Sequence, residues 1–399
     1  MCKLHILTKR TIIMAKQLIV TELQAKTQIN NKRKFMQNKE MKHEGNTKPR
    51  IEYIDAMRGF TMIMVVLYHI KLNNFSGPAD NTLFTLILMS FIMPLFFFIS
   101  GFCTYKYNTC ILKLQPLVTS LKNKIRIYVI PTLIIGLVYT YIVAKQNWYD
   151  FIINDLKLGY WFTIALLEMF LIYYLICFFN KKWTIKENFR PLFIALIGTS
   201  LCMYLALSPI RRFSMLTEWC DATSFTRTCQ YFIYFVTGII ASKYRNYFFN
   251  AQSNKYISAI VIVLFSLLTY YQFTILDFNS WVIDKFFTRI SPVILGLCGI
   301  FIVFNFFRTY QDCFTKESKT GQILQYIGRR TLDIYLLHYF FIPTIPYFGN
   351  FIQNTPNLVI EVTVLSLCSI LVVVFCLILS SLIRTSSYLS YYLLGVKQK

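Results

Sequence analysis

Apolar runs of about 20 residues, separated by short polar connections, recur from residue 54 to residue 382. A bilayer core of about 30 Å demands that length of a helix rising ~1.5 Å per residue. The pattern predicts ten spans, at about 54–72, 84–104, 125–144, 160–179, 191–207, 228–242, 256–276, 289–307, 332–351 and 358–382. The predicted fold is an all-α polytopic bundle of about ten transmembrane helices with both termini cytoplasmic. Residues 1–50 read as a basic tail, disordered or lying on the membrane surface. Residues 51–385 read as the transmembrane domain and 386–399 as a short cytoplasmic tail. No secretory signal peptide and no internal repeat is visible, so the activity is expected to reside in the membrane domain.

Composition agrees, at 56% hydrophobic, 17% aromatic and only 15% charged residues. A net charge of +23 would suit a nucleic-acid partner, but its placement argues against one. Residues 1–50 hold 12 lysines and arginines against Glu22, Glu40 and Glu44, and 20 more fall in alternate connections and the C-terminal tail. The opposite side carries Lys71, Lys145, Lys157, Arg211, Arg212, Arg227, Lys285 and Arg289. That asymmetry is the positive-inside pattern of a protein whose partner is the lipid bilayer. The aromatic residues stand inside apolar runs, without the basic interleaving of a nucleic-acid surface.

Most of the 11 cysteines, including Cys103, Cys177, Cys202, Cys298, Cys368 and Cys376, lie in apolar runs as small hydrophobes. Cys220 and Cys229 share one predicted external loop and its edge, where a disulfide and two separate thiols are both open readings. No CxxC or Cys/His cluster occurs, and no metal is expected.

The first span, YIDAMRGFTMIMVVLYHIKL, breaks the apolar pattern with Asp55, Arg58 and His69. At ~100° per residue, Asp55 and Arg58 can pair along one face. Arg58 and His69, eleven residues apart, share a stripe to within ~20° and stand roughly 16 Å apart along the axis. Ionisable groups inside a span are functional candidates, and a neutral histidine suits general-base chemistry near pH 7. The alternative for Arg58 is snorkelling to headgroups, and for His69 an interfacial position. Gly59 would admit a close helix or a ligand. Glu168 follows Trp161 by seven residues and so shares its helix face.

The ordered elements RGFTMIMVVLYH, MPLFFFISGF (93–102), KIRIYVIP (124–131), YWFTIALLEMFLIYYL (160–175) and YIGRRTLDIYLLH (326–338) together resemble the membrane-bound acyltransferase-3 family. The resemblance covers about residues 50 to 385 and lies nearest the polysaccharide O-acetyltransferase and fucose 4-O-acetylase-like branch. It implies transfer of an acyl group, usually acetyl, from cytoplasmic acyl-CoA to a hydroxyl of a sugar or glycan. Acetyl-CoA would be a donor substrate, and no permanently bound cofactor is implied. His69 matches the family's base and Arg58 its paired arginine, which would orient the donor or hold Asp55. Ser100, with Gly101, would approach the acyl or pantetheine chain or else form a packing notch. Lys124 and Arg126 would meet the donor's phosphates, although orientation charge explains them equally. Glu168 would orient His69 or take its proton, against a plain structural pair with a neighbouring helix. Trp161, Tyr335 and His338 are the candidate acceptor-binding residues. The sequence LLEMFLIYY departs from the family's Glu-x-x-Phe-Tyr form, which weakens the assignment of Glu168.

No serine or cysteine stands out as a nucleophile, so direct transfer is expected. A bacterial inner membrane is the expected location. The competing class is a transporter or flippase of a glycan or small solute, although no paired inverted repeats of broken helices are visible. Arg329, Arg330 and Asp333 read as a charged helix start with a local ion pair, and Pro343 and Pro346 as the end of the ninth span.

Overall fold

The computed structural model describes residues 51–74, 82–105, 114–181, 189–274, 285–344 and 357–396. The expected tail at 1–50 and Pro346 lie outside them. In chain order the helices are α1 Glu52–Asn74, α2 Leu83–Thr104, α3 Leu114–Lys124, α4 Ile130–Ile142, α5 Trp148–Ile153 and α6 Trp161–Phe179. There follow α7 Arg190–Ile210, α8 Ser214–Thr223, α9 Phe225–Lys243, α10 Arg245–Ser253 and α11 Lys255–Thr274. The last are α12 Ser291–Thr309, α13 Lys319–Arg329, α14 Thr331–Leu337, α15 Leu358–Ile383 and α16 Ser387–Leu394. No strand occurs among the described residues.

Among the described residues, seven stretches are both long and apolar enough to cross a membrane: Leu83–Thr104, Val118–Ile142, Trp161–Phe179, Arg190–Ile210, Lys255–Thr274, Phe286–Thr309 and Leu358–Ile383. The expected count of ten therefore divides. Helices α1 and α9 have the length but carry too many polar groups, among them Asp55, Arg58 and Lys71 in α1 and Arg227 and Lys243 in α9. Both bury much of their length inside the bundle, Ala56, Met57, Phe232 and Phe235 being fully enclosed. A helix shielded by others can be polar, whereas one facing lipid cannot. In the stretch Lys255–Thr274 only 11% of the membrane-length window is buried inside the bundle.

The expected ninth span is not one helix. Helix α14 stops at Leu337, a 3₁₀ turn covers His338–Phe340, and residues 342–344 are irregular. Pro343 bars its predecessor from helical geometry, so an apolar sequence that continues through YFFIP cannot continue as a helix. At the start of α14, Asp333 has no local partner of the expected kind. It accepts two hydrogen bonds from Arg384 at 2.7 and 3.1 Å and one from Ser380 at 2.6 Å, both from the end of α15. Cys220 and Cys229 are buried free thiols in a small cluster with Ile210.

Two π turns, Ile125–Val129 before α4 and Phe286–Ile290 before α12, share one cause. Pro131 and Pro292 follow directly, and a proline lacks the N–H and crowds the carbonyl four residues back. The ladder widens instead, and Ile130 and Ser291 donate to Ile125 and Phe286, five residues earlier.

Glycine sets the two closest crossings. A Cβ on Gly59 of α1 would sit 2.1 Å from the Leu324 carbonyl oxygen of α13, and one on Gly328 only 1.8 Å from that of Asp55. The crossing of α2 with α9 is built alike: a Cβ on Gly101 would lie 2.0 Å from the Phe235 oxygen, and one on Gly238 2.1 Å from that of Phe98. Backbones meet at these points with no side chain between them. Gly101 thus serves helix packing, as Gly59 does.

At its far end α1 is tied to α15. The Lys71 ammonium, 1% exposed, lies 2.6 Å from a Glu361 carboxylate oxygen and donates to the Thr82 hydroxyl at 2.6 Å. Lys71 is therefore a buried ion-pair partner rather than a surface orientation charge. Asn73 and Asn74 add bonds to the Pro343 carbonyl and the Thr344 hydroxyl.

Gly59→Ala and Gly328→Ala should each lower the stability of the detergent-solubilised protein by about 1–3 kcal/mol through overpacking. Gly198→Ala, at a helical position with open space around it, should instead be neutral or gain up to about 1 kcal/mol; thermal unfolding compares the three. Lys71→Met should cost about 3–5 kcal/mol by stranding Glu361, and adding Glu361→Leu should recover most of that loss in the same measurement.

Candidate active site

His69 lies four residues beyond Val65 on α1, so its Nδ1 reaches the Val65 carbonyl at 3.0 Å. A carbonyl oxygen only accepts, which assigns the hydrogen to Nδ1 and leaves a bare lone pair on Nε2. The Tyr339 hydroxyl donates to that lone pair at 2.9 Å. His338 repeats the arrangement: its Nδ1 lies 3.1 and 2.8 Å from the carbonyls of Ile334 and Tyr335. Its Nε2 is buried without a hydrogen-bond partner among the described residues. The ring centroids stand 5.1 Å apart for His69 and His338, 4.0 Å for His338 and Tyr339, and 5.0 Å for His69 and Tyr339. The 3₁₀ turn that ends α14 is what brings two successive residues, His338 and Tyr339, onto His69.

The connection between α5 and α6 closes one wall. Tyr335 donates to the Gly159 carbonyl at 2.8 Å and accepts from the Phe162 amide at 3.1 Å, while Tyr160 donates to the Leu336 carbonyl at 3.0 Å. The rings of Tyr160 and Tyr139 stand 5.1 and 5.7 Å from that of Tyr339. Lys157, Leu158 and Gly159 all take positive φ, at 49°, 52° and 102°. Such a run is costly for the two non-glycine residues. It is held by the Lys157 ammonium, which donates at 2.7 Å to each of the carbonyls of Ile152, Asn154 and Asp221. Burial pulls the Lys157 pKa down to about 8, against the opposing fields of Asp155, Asp221 and Glu168. Gly159 is required for space as well as for φ, because a Cβ there would lie 1.9 Å from the Tyr339 hydroxyl oxygen.

Arg58 occupies the other end of the α1 stripe. Its Nη1 lies 3.6 Å from an Asp55 carboxylate oxygen, with the Asp55 side chain buried and that of Arg58 28% exposed. Its field reaches the Tyr128 hydroxyl on the π turn. Lys124 stands over the same Tyr128 ring at 5.3 Å and over Phe170 at 3.6 Å. Arg126 stands 5.8 Å from the Tyr391 ring, and its Nε is buried without a hydrogen-bond partner among the described residues. Ser100 lies half-buried on α2, its carbonyl accepting from the Thr104 hydroxyl at 2.5 Å.

Trp161 and Glu168 both face α9, as their spacing requires. Trp161 stacks on Tyr231 with centroids 5.5 Å apart, and a Glu168 oxygen accepts from the Thr228 hydroxyl at 2.6 Å. His69 takes its orientation from Val65, not from Glu168; the carboxylate is a partner of the neighbouring helix. Tyr339, Gly159 and Lys157 are the site residues that helical spacing did not single out. The one available signal for Tyr339 was its place directly after His338 in YLLHYF.

The nitrogen of His69 that lacks a hydrogen, half-buried beside a hydroxyl in a ring whose other nitrogen is pinned by a backbone carbonyl, is equipped to draw a proton from an attacking hydroxyl. A family model described as an acyltransferase domain, of the acyltransferase-3 type, matches residues 51–381. No curated protein and no solved structure matches the chain. The family match covers α1 through nearly all of α15, Arg58, His69, Glu168 and His338 included, and the chain belongs to the acyltransferase-3 family.

Proposed function

We propose that this membrane acyltransferase moves an acyl group, acetyl in the first instance, from acyl-CoA to a hydroxyl of a sugar or cell-envelope glycan. The observation that carries this reading is the 2.9 Å hydrogen bond between His69 Nε2 and a hydroxyl, with Nδ1 occupied by Val65. Such a nitrogen accepts the proton of a hydroxyl as it attacks a thioester carbonyl. The site needs no metal for that step, and acetyl-CoA enters as substrate. Both tails are assigned to the cytoplasm on the charge asymmetry of the connections, and a bacterial inner membrane is assigned on the resemblance to glycan-modifying acyltransferases.

In this orientation the donor approaches from the Arg58 end. Arg58, Lys124 and Arg126 supply cations for its phosphates, which favour charge-assisted bonds. Ser100 is assigned to the path of the pantetheine chain. His338, whose bare Nε2 is a vacant acceptor, is assigned to the acceptor side with Tyr335 and Trp161. Glu168 is assigned a supporting role through Thr228 and the field it shares with Lys157.

Removing the base should lower transfer by about 10²–10⁴-fold in His69→Ala while acetyl-CoA binding persists. The measurement compares cell-surface glycans for one acyl mass in cells carrying the wild type, the variant or no gene. Full acylation by His69→Ala would overturn the base assignment. Purified wild-type protein that fails to bind acetyl-CoA would overturn the reaction itself and return transport to the front. Arg58→Ala should raise the KM for acetyl-CoA about tenfold or more, with kcat changed less, when initial rates are measured against donor concentration.

A further inference from the structure

We propose that the groove between α2, α9, α10 and α12 binds one anionic phospholipid of the inner leaflet, with an acyl chain in the groove and the phosphate at the end marked by Arg245 and Arg308. The inference uses the orientation assigned above and none of the acyl-transfer chemistry. The groove has a volume of about 280 Å³. Its walls are Phe98 of α2, Ile240 and Ala241 of α9, Phe248 of α10, and Leu297 and Phe301 of α12. Thr237 also lines it, but its hydroxyl is spent on the Tyr234 carbonyl at 2.9 Å. The walls thus offer an occupant dispersion contacts and no polar partner, which suits a hydrocarbon chain. Tyr244 and Tyr247 complete the lining and are 44% and 77% exposed. Such amphipathic rings sit at headgroup level.

Two of the walls end in a cation. On α2 the Phe98 ring stacks on that of Phe102, 6.2 Å away, and the Arg245 guanidinium stands 5.3 Å from the Phe102 ring. On α12, Leu297, Phe301 and Asn305 follow one stripe at four-residue steps, and Arg308, eleven residues after Leu297, returns to it within ~20°. Arg308 is held by bonds from its Nη1 to the Phe249 carbonyl at 2.9 Å and the Ser253 hydroxyl at 3.2 Å. Phe301 and Arg308 are seven residues apart, ~10 Å along the axis. One ligand that touches both must therefore be amphipathic.

The chemistry of the head follows from the charge. No aspartate or glutamate occurs between Asp221 and Asp277 or within α12, so those segments carry nothing that offsets the two guanidiniums. Gln252 of α10 adds a side chain only 3% exposed, one turn beyond Phe248, whose amide has no hydrogen-bond partner among the described residues. An amide is a neutral donor to a phosphate or ester oxygen. A basic pocket between helices on the cytoplasmic side suits anionic headgroups. A zwitterionic lipid, which brings its own cation, gains less there.

The test uses full-length protein purified in detergent and titrated with dioleoyl phosphatidylglycerol or dioleoyl phosphatidylcholine, read by native mass spectrometry. A phosphatidylglycerol with a photoreactive acyl chain then marks the peptides it touches. We expect one retained phosphatidylglycerol, bound about tenfold or more tighter than phosphatidylcholine, with crosslinks within 237–248 and 297–301. Arg245→Ala and Arg308→Ala should each weaken it about fivefold, the loss of one cation near the headgroups. Ile240→Trp and Leu297→Trp fill the groove and should remove the crosslinks in protein that unfolds as the wild type does. Equal retention of the two lipids, crosslinks elsewhere, or full retention by both tryptophan variants would overturn the site. Displacement by equimolar decaprenyl phosphate would overturn it in favour of an isoprenoid, and displacement by millimolar inorganic phosphate in favour of a simple anion. A dimer that Leu297→Trp abolishes would give the groove to a second copy of the chain and overturn it too. Should the variants misfold, the headgroup preference and crosslink map of the wild type decide. None of these outcomes bears on acyl transfer, which His69→Ala reads separately.

Discussion

A helix bearing Asp55, Arg58, His69 and Lys71 cannot face lipid, and this constraint organises the molecule. Each unshielded charge in hydrocarbon costs at least about 2.5–3.5 kcal/mol on insertion scales. The remaining helices answer it by closing around α1: α13 at the glycine crossing, α15 through Glu361, and the turn after α14 through Tyr339. The ionisable groups of α1 are kept inside the bundle, while stretches such as Lys255–Thr274 leave most of their length outside it. The same enclosure half-buries His69 and gives its bare nitrogen a defined partner in the Tyr339 hydroxyl.

Arg58 and His69 stand at opposite ends of one rigid helix, roughly 16 Å apart by helical rise. The basic cluster around Tyr128 and the ring cluster around His69 are thereby fixed relative to each other. In the proposed reaction that separation is the distance across which a donor's extended chain would carry its thioester, away from the charges that hold its phosphates. The π turn at Ile125–Val129 contributes by carrying Tyr128, over whose ring Lys124 stands.

Local relations were legible in the sequence. The Asp55–Arg58 pair, the stripe shared by Arg58 and His69, and the common face of Trp161 and Glu168 all follow from 3.6 residues per turn. Relations between distant segments were not. Lys71 and Glu361 are 290 residues apart, and neither sign nor spacing tells which helix a buried lysine will meet. Asp333 looked paired with its arginine neighbours and instead takes Arg384. Hydropathy extended the ninth span because it reads side chains, while the end of α14 at Leu337 and the 3₁₀ turn after it are backbone events, and Pro343 keeps the helix from resuming. Tyr339 was invisible for the same reason: a 3₁₀ turn follows neither the helical nor the strand period. The two prolines that widen the ladder into π turns were in plain view, but their effect on register required the backbone.

The tie between Lys71 and Glu361 also bears on how the protein is made. Chains enter the membrane N-terminus first, so α1 arrives early with a lysine whose counterion is not yet synthesised. Leu324 and Gly328, which close on Gly59, and Tyr339, which bonds His69, come almost as late. Helix α1 is thus inserted before the groups that satisfy it exist. The candidate site is assembled only once the turn after α14 has been delivered, and a chain truncated before α15 would present lipid with an unpaired cation and an incomplete bundle, a ready mark for removal.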